Sequence, residues 1–297
     1  MIGTRLQTPV KTSHALSFDI EDWPQAYLDP RRELTSRFEC GTKRILNLLD
    51  ENKVKATFFV LGLAAEKCPH LVREIQSRGH EVQSHGYGHR LIHTQTPSDF
   101  RGDVEHSKKL LEDLCGRPIR GYRAPAFSIT RKTLWALDVL IETGFQFDSS
   151  IFPIVMPRYG IAGALSVPHQ VRAPNGGELI EMPVATARAF GHVLPVGGGG
   201  YFRWMPYGLI RRGVQQHSRA GQSATLYLHP HEFDPNEFRE MRYGISWVKR
   251  AKFGWGRKRV PGVVDRLLKT FPFQTMGQVV ASLRDLPVCA YSSWPLE

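Results

Sequence analysis

A few short stretches of the 297-residue chain hold side chains able to move protons or grip a metal ion. Asp19, Glu21 and Asp22 crowd the end of an apolar run at residues 15–20. His85 and His89 flank Gly86-Tyr87-Gly88, and Arg123 stands just before Ala124-Pro125. Asp148-Ser149-Ser150 and His229-Pro230-His231-Glu232 follow later. A carboxylate inside an apolar run, as Asp19 is, needs a partner once buried. Arg123, lodged in a strand-like segment, is an unusual buried cation that fits such a carboxylate. Two neutral imidazoles and one carboxylate leave open positions on a divalent ion, and a catalytic metal site needs an open position. Gly86 and Gly88 make a helix between the two histidines improbable, so a tight loop must turn both rings inward. An HxxxH pair alone is weak evidence, since a solvated polar loop gives the same spacing. His80 and His93 read as structural or surface residues, and a histidine such as His229, taken alone, is more often a satisfied core residue than a catalyst. His231 and Glu232 read as loop surface.

The elements that carry these groups alternate in type. Strands are expected at residues 15–20, 56–61, 81–84, 121–123, 145–147, 179–184 and 224–228. Between them, helical spacing appears at 38–51, 63–78, from the Thr96-Pro97-Ser98-Asp99 start signal to Gly116, and at 130–143. Further helices are expected at 205–220, 260–271 and 276–283. Residues 152–177 read as irregular loop, 197–200 as a four-glycine turn, and 232–258 as a polar, basic, poorly periodic stretch. Such alternation implies parallel strands with crossover helices. There are about seven strands and no dinucleotide-type GxGxxG after the first. A closed, distorted β/α barrel therefore fits better than an open doubly wound sheet. Nearly every strand ends in the polar residues named above. In a barrel those C-terminal ends share one mouth, which would bring together groups distant in sequence.

Composition sets the outer bounds. The chain is 41% hydrophobic and 23% charged, ample for a core. No apolar run reaches the ~18 residues of a membrane span. No secretory leader is evident, so a reducing cytoplasm is the expectation. The four cysteines, at 40, 68, 115 and 289, lie far apart and read as isolated buried thiols. Lys+Arg 39 against Asp+Glu 28 gives a formal +11. Much of that excess sits late, in Lys249, Arg250, Lys252, Arg257, Lys258, Arg259, Arg266 and Lys269, interleaved with Trp247, Phe253 and Trp255. This stretch is either a solvated basic face or a docking surface for an acidic glycan, a lipid-linked glycan or an anionic membrane. No RNP, zinc-finger or helix-turn-helix signal supports a nucleic-acid partner.

Taken in order, the motifs resemble a family. Ser17-Phe18-Asp19-Ile20-Glu21-Asp22, Thr57-Phe58-Phe59, His85-Gly86-Tyr87-Gly88-His89, Arg123-Ala124-Pro125-Ala126-Phe127, Asp148-Ser149-Ser150 and Leu228-His229 resemble the polysaccharide (NodB-type, carbohydrate esterase family 4) deacetylases over residues 14–235. Glu181-Met182-Pro183, Gly198-Gly199-Gly200-Tyr201-Phe202-Arg203 and the run from His229 to Pro235 resemble the branch found with exosortase-linked exopolysaccharide gene clusters. The resemblance implies an α/β fold, a distorted (β/α)7 barrel with a short C-terminal extension. The expected division is an arm at 1–14, a catalytic barrel at 15–235, and a basic extension at 236–297 packed on the barrel. The implied activity is metal-dependent de-N-acetylation of N-acetylhexosamine units in an exopolysaccharide or its lipid-linked precursor. The expected location, read from the leader and charge patterns rather than from the resemblance, is cytoplasmic, either free or peripheral at the inner membrane.

The resemblance also implies roles. Asp22, His85 and His89 would bind the metal, usually zinc. Asp19 would be the general base, oriented by Arg123. His229 would be the general acid, tuned by Asp148, and the Ala126 N–H would help form an oxyanion hole. Three departures bear on these roles. The usual first motif has adjacent aspartates, whereas Ile20 and Glu21 separate Asp19 from Asp22 here, so Glu21 is the alternative third ligand. Gly86 replaces a Ser or Thr whose hydroxyl would brace the loop. His231 stands where the branch often has tryptophan. Two other functions compete with the deacetylase. One is the hydrolysis of ureides such as allantoin, performed by metal-independent relatives and disfavoured by the two loop histidines. The other is a nucleic-acid binder, suggested by charge alone.

Overall fold

A computed structural model describes residues 12–156, 159–189 and 191–293. The first eleven residues of the expected N-terminal arm, Arg5 and Lys11 among them, lie outside the described residues. Among the described residues the strands are β1 (His14–Ile20), β2 (Thr57–Val60), β3 (Glu81–Ser84), β4 (Gly121–Tyr122), β5 (Phe147–Asp148), β6 (His169–Arg172), β7 (Glu178–Glu181), β8 (Thr186–Ala189), β9 (His192–Pro195), β10 (Thr225–Leu228), β11 (Phe273–Gln274) and β12 (Val288–Cys289). The helices are α1 (Trp23–Tyr27), α2 (Arg37–Glu51), α3 (Gly62–Lys67), α4 (Pro69–Ser77), α5 (Pro97–Cys115), α6 (Trp135–Glu142), α7 (Tyr207–Arg219), α8 (Glu237–Glu240), α9 (Trp247–Gly254), α10 (Val260–Thr270) and α11 (Met276–Ser282).

Seven strands pair in parallel in the order β10-β1-β2-β3-β4-β5-β7. The chain just past β7 then meets β10 again. Val184 bridges Thr225 in parallel, and the Ala185 N–H donates to the Thr225 carbonyl at 3.0 Å. The ring is therefore closed by a thin seam, and the expected seven-stranded α/β barrel forms. Its distortion comes from β7, which also pairs antiparallel with β6, and β6 carries β12. β1 is buried along its whole length, as a strand flanked on both edges and covered by helices must be.

Local chemistry sets the helix ends. Thr96 and Asp99 form a reciprocal capping box at the start of α5, and Gly116 ends that helix at φ 61°. The single helix expected at 63–78 is two, because Pro69 lacks an N–H and starts α4 at its first turn while Cys68 takes a non-helical conformation. The helix expected at 130–143 is regular only from Trp135. Residues 152–177 are not wholly irregular, since β6 lies among them. The β8–β9 hairpin escaped the periodicity because both strands are short and half exposed. Cys68, Cys115 and Cys289 are buried free thiols, whereas Cys40 is exposed on α2.

Residues beyond 235 join the barrel directly. β11 pairs with β1, and α10 buries Val260, Val263, Val264, Leu267 and Leu268. Several of the late basic residues are internal ties. Arg250 donates to the Phe238 carbonyl, Arg257 to the Phe253 carbonyl and to Glu237, and Arg259 to the Met205 carbonyl. Lys249, Lys252 and Lys258 stay exposed. Among the described residues, no helix is long and apolar enough to cross a membrane.

Candidate active site

The barrel mouth begins with β1. The chain turns just past β1, where the Glu21 N–H donates to the Asp19 carbonyl at 3.1 Å, and the next two acids find different partners. The Glu21 Oε2 oxygen lies 2.8 Å from Nε2 of His89 and 3.4 Å from Nε2 of His85. Asp22 instead takes the Thr35 backbone N–H at 2.5 Å and the Thr35 hydroxyl at 3.0 Å. Burial pushes its carboxyl up to about 6, against those two hydrogen bonds. The expectation of Asp22 beside the histidines therefore does not match the geometry: the alternative, Glu21, occupies that place. Burial opposes the charge of Glu21, yet His89, His229 and His85 hold it well below the usual carboxylate range.

The two histidines are presented by the loop after β3. His85 Nδ1 hydrogen-bonds the Arg123 carbonyl at 2.8 Å, which leaves Nε2 as the nitrogen facing Glu21. His89 is turned into the site by a left-handed backbone, φ 56°. The brace expected from a hydroxyl at position 86 comes from neighbours. Asp103 accepts the N–H groups of Tyr87 (2.7 Å) and Gly88 (3.3 Å), Ser84 Oγ accepts the Gly86 N–H, and Ser107 Oγ donates to the Gly86 carbonyl. Gly86 has φ 75°, and a Cβ there would lie 2.9 Å from Asp103 Oδ2, so the acid and the glycine fit as a pair.

Arg123, fully buried just after β4, uses four of its five N–H donors. Its Nη1 donates to Asp19 Oδ1 at 2.6 Å and to Ser17 Oγ at 2.9 Å. Nη2 donates to Ser149 Oγ and Nε to the Ser149 carbonyl. The guanidinium also lies 4.2 Å over the Phe59 ring. One charge-assisted hydrogen bond thus holds Asp19 Oδ1, and the Ser17 and Ser149 contacts anchor the guanidinium that makes it.

His229, at the end of β10, faces three carboxylates. Nε2 is 3.7 Å from Glu21 Oε1 and 3.9 Å from Asp19 Oδ2, and Nδ1 is 3.4 Å from Glu232 Oε2. Burial would lower its pKa, but Glu21, Glu232 and Asp19 outweigh that and raise it to about 9. Asp148 sits elsewhere: it accepts the Ser150 hydroxyl at 2.5 Å and lies in register with Glu181 on β7. Burial raises both Asp148, to about 6, and Glu181. The carboxylate beside His229 Nδ1 is thus Glu232. His231 is buried rather than on the surface, stacked on His229 at 4.8 Å, and burial with the His229 and Arg257 charges drives its pKa down. Glu232, likewise buried, was hidden because an acid in a polar loop has no periodic signal; its i, i+3 distance from His229 was the available clue.

Asp19, Glu21, His85, His89, Ala126 and His229 line one cleft of about 350 Å3, whose other walls include Tyr27, Tyr201, Arg203 and Trp204. Ala126 is held at φ 50°, a strained conformation for a residue with a Cβ. Glu21, His85 and His89 each offer one ligand atom, and those atoms lie within 4.8 Å of one another. One carboxylate and two imidazoles, with His85 fixed through its other nitrogen, suit a divalent ion that keeps an open position.

Comparison with known proteins fits this arrangement. Residues 7–146 match the family model described as polysaccharide deacetylase, and residues 149–281 match a domain of unknown function (DUF3473). Residues 7–146, just under half of the chain, thus resemble a polysaccharide deacetylase domain. The second matched stretch supplies His229 to the same cleft, with Ser149 behind Arg123 and Glu232 beside His229. A peptidoglycan-N-acetylglucosamine deacetylase of Bacillus cereus is 31% identical over 127 residues, covering 40% of this chain and 46% of that protein. A chitooligosaccharide deacetylase of Azorhizobium caulinodans is 31% identical over 85 residues, 28% of this chain and 40% of that protein. The chain spans about half or less of the length of these curated relatives. Among solved structures, a protein of Mycobacterium smegmatis assigned to the polysaccharide deacetylases superposes with a TM-score of 0.63 at 20% identity, covering 97% of this chain and 98% of its own. The PuuE allantoinase gives 0.63 at 15% identity, covering 92% and 91%. These likenesses show the fold.

Proposed function

We propose that the protein is a metal-dependent de-N-acetylase acting on N-acetylhexosamine units of a glycan. The observation that carries this reading is the convergence of Glu21, His85 and His89 with the Asp19–Arg123 pair and His229 in one cleft. A divalent ion held by that triad, with zinc the expected species, would supply Lewis acidity toward water and the acetyl carbonyl. The protein's own groups divide the remaining work. Asp19 accepts a proton from the attacking water, and Arg123 keeps its carboxylate aimed. The Ala126 N–H donates to the oxygen that becomes negative as the amide carbon turns tetrahedral. His229, held protonated by Glu21 and Glu232, gives its proton to the departing sugar nitrogen. The balance is one water consumed, one acetate and one amine released.

The glycan is proposed to be a bacterial exopolysaccharide or its lipid-linked precursor, met on the cytoplasmic side of the inner membrane. Exposed Lys249, Lys252 and Lys258, next to exposed Trp247 and Val248, support a surface that meets acidic or membrane-borne substrate.

The test is a substrate panel. Purified enzyme loaded with zinc should release acetate from N-acetylglucosamine oligomers and should not open allantoin. Allantoin turnover without acetate release, insensitive to chelator, would replace this reading with the ureide hydrolase.

A further inference from the structure

Two tryptophans stack at the edge of the cleft. The rings of Trp204 and Trp255 have centroids 4.1 Å apart at 27°, and each residue is about half exposed, 50% and 52%. Trp204 follows the glycine-rich turn and lines the same cleft as the catalytic groups. Trp255 follows α9, from the far end of the sequence. The two segments are locked together beside the stack. Arg203 Nη1 donates to the Phe253 carbonyl at 2.6 Å, and Arg259 Nη2 donates to the Met205 carbonyl at 2.9 Å. Gly256, at φ 76°, lets the chains touch: a Cβ there would fall 2.4 Å from the Arg203 carbonyl oxygen. The pair is thus a fixed aromatic surface rather than two loose side chains. An exposed apolar surface built this rigidly, and continuous with a cleft, marks a binding site. Polar groups stand beside it. Tyr27, 45% exposed, lines the cleft, and Arg203 Nε is buried with no hydrogen-bond partner among the described residues.

A pyranose ring has the matching chemistry: an apolar face of C–H groups for the indole and hydroxyls for the donors. We infer that Trp204, backed by Trp255, forms a sugar-stacking subsite that holds a second residue of an oligomeric N-acetylated glycan while its neighbour occupies the catalytic cleft. This inference rests on the deacetylase reading and names the feature of the substrate that reading leaves open, its length.

The probe is the β-1,4-linked N-acetylglucosamine dimer against the pentamer. In the wild type, kcat/KM for acetate release should rise with chain length. Trp204→Ala should cut the pentamer-to-dimer ratio about tenfold or more, mainly through KM, Trp255→Ala should cut it less, and Trp204→Phe should restore most of it. Thermal melting of each variant checks folding, and Trp255→Ala carries the test if Trp204→Ala does not fold. Intrinsic tryptophan fluorescence of the wild type should change on adding the pentamer, whether or not acetate appears. Fluorescence binding without acetate release would overturn the deacetylase reading and keep the subsite. Acetate release with the same chain-length ratio in folded Trp204→Ala and Trp255→Ala would overturn the subsite alone.

Discussion

Glu21 Oε2 and His89 Nε2 stand 2.8 Å apart, while the neighbouring Asp22 carboxylate is spent on Thr35. The two acids should therefore separate cleanly on mutation. Glu21→Gln should weaken zinc binding by more than about 100-fold, the upper range for removing a mere supporting group. Asp22→Asn should keep one zinc per chain and lose thermal stability instead. Elemental analysis after dialysis reads both, and zinc loss in Asp22→Asn with retention in Glu21→Gln would reverse the assignment.

Arg123 serves Asp19, Ser17 and Ser149 at once. Lysine cannot reproduce that fork. Arg123→Lys should lower kcat by about 100-fold, in the range of a misplaced general base. Arg123→Ala should in addition destabilise the fold by about 3–5 kcal/mol by stranding a buried charge. Steady-state kinetics and denaturant melts check the two parts.

Glu232 is the carboxylate beside His229 Nδ1. Glu232→Gln should lower kcat by about 10–100-fold with little change in KM and with zinc content intact. Ser150→Ala, which frees Asp148, should have a smaller effect on kcat, because Asp148 makes its contacts with Ser150 and Glu181.

Much of this site was legible in the sequence, for a physical reason. His85, His89, Arg123 and His229 sit where apolar runs stop, and in a parallel barrel every such stop opens on the same mouth. The choice between Glu21 and Asp22 was not legible, because both acids follow a turn just past β1 and the turn decides which one faces the histidines. Glu181 and the β8–β9 hairpin were illegible because their roles depend on cross-strand contacts, whereas Glu232 was signalled only by its three-residue spacing from His229. The late basic stretch shows the same limit. Composition counted Arg250, Arg257 and Arg259 as surface charge, whereas each one ties backbone carbonyls inside the fold.

Stability should depend on acid through His14. Its Nδ1 accepts the Ala224 N–H and its Nε2 meets Ser218 Oγ, so the neutral ring is the one that fits. Burial, aided by His217, lowers its pKa from 6.5 to about 4. The unfolded chain therefore binds a proton first as pH falls. Stability should be full above about 6.5, decline toward 4, and level off below, by up to roughly 3 kcal/mol for this residue. His80, lowered to about 4 mainly by burial, adds to the same slope. Denaturant melts from pH 7 to 4 should show a shallower slope in His14→Gln than in the wild type.

The most direct measurement is acetate release from N-acetylglucosamine oligomers as zinc is titrated back into the chelated enzyme. Activity should be absent at first, rise linearly, and saturate at one zinc per chain. Glu21→Gln, His85→Ala and His89→Ala should stay near zero at that stoichiometry. Full acetate release by the chelated wild type, or by any of the three variants without bound metal, would contradict the assignment of Glu21, His85 and His89 as the metal centre of a deacetylase.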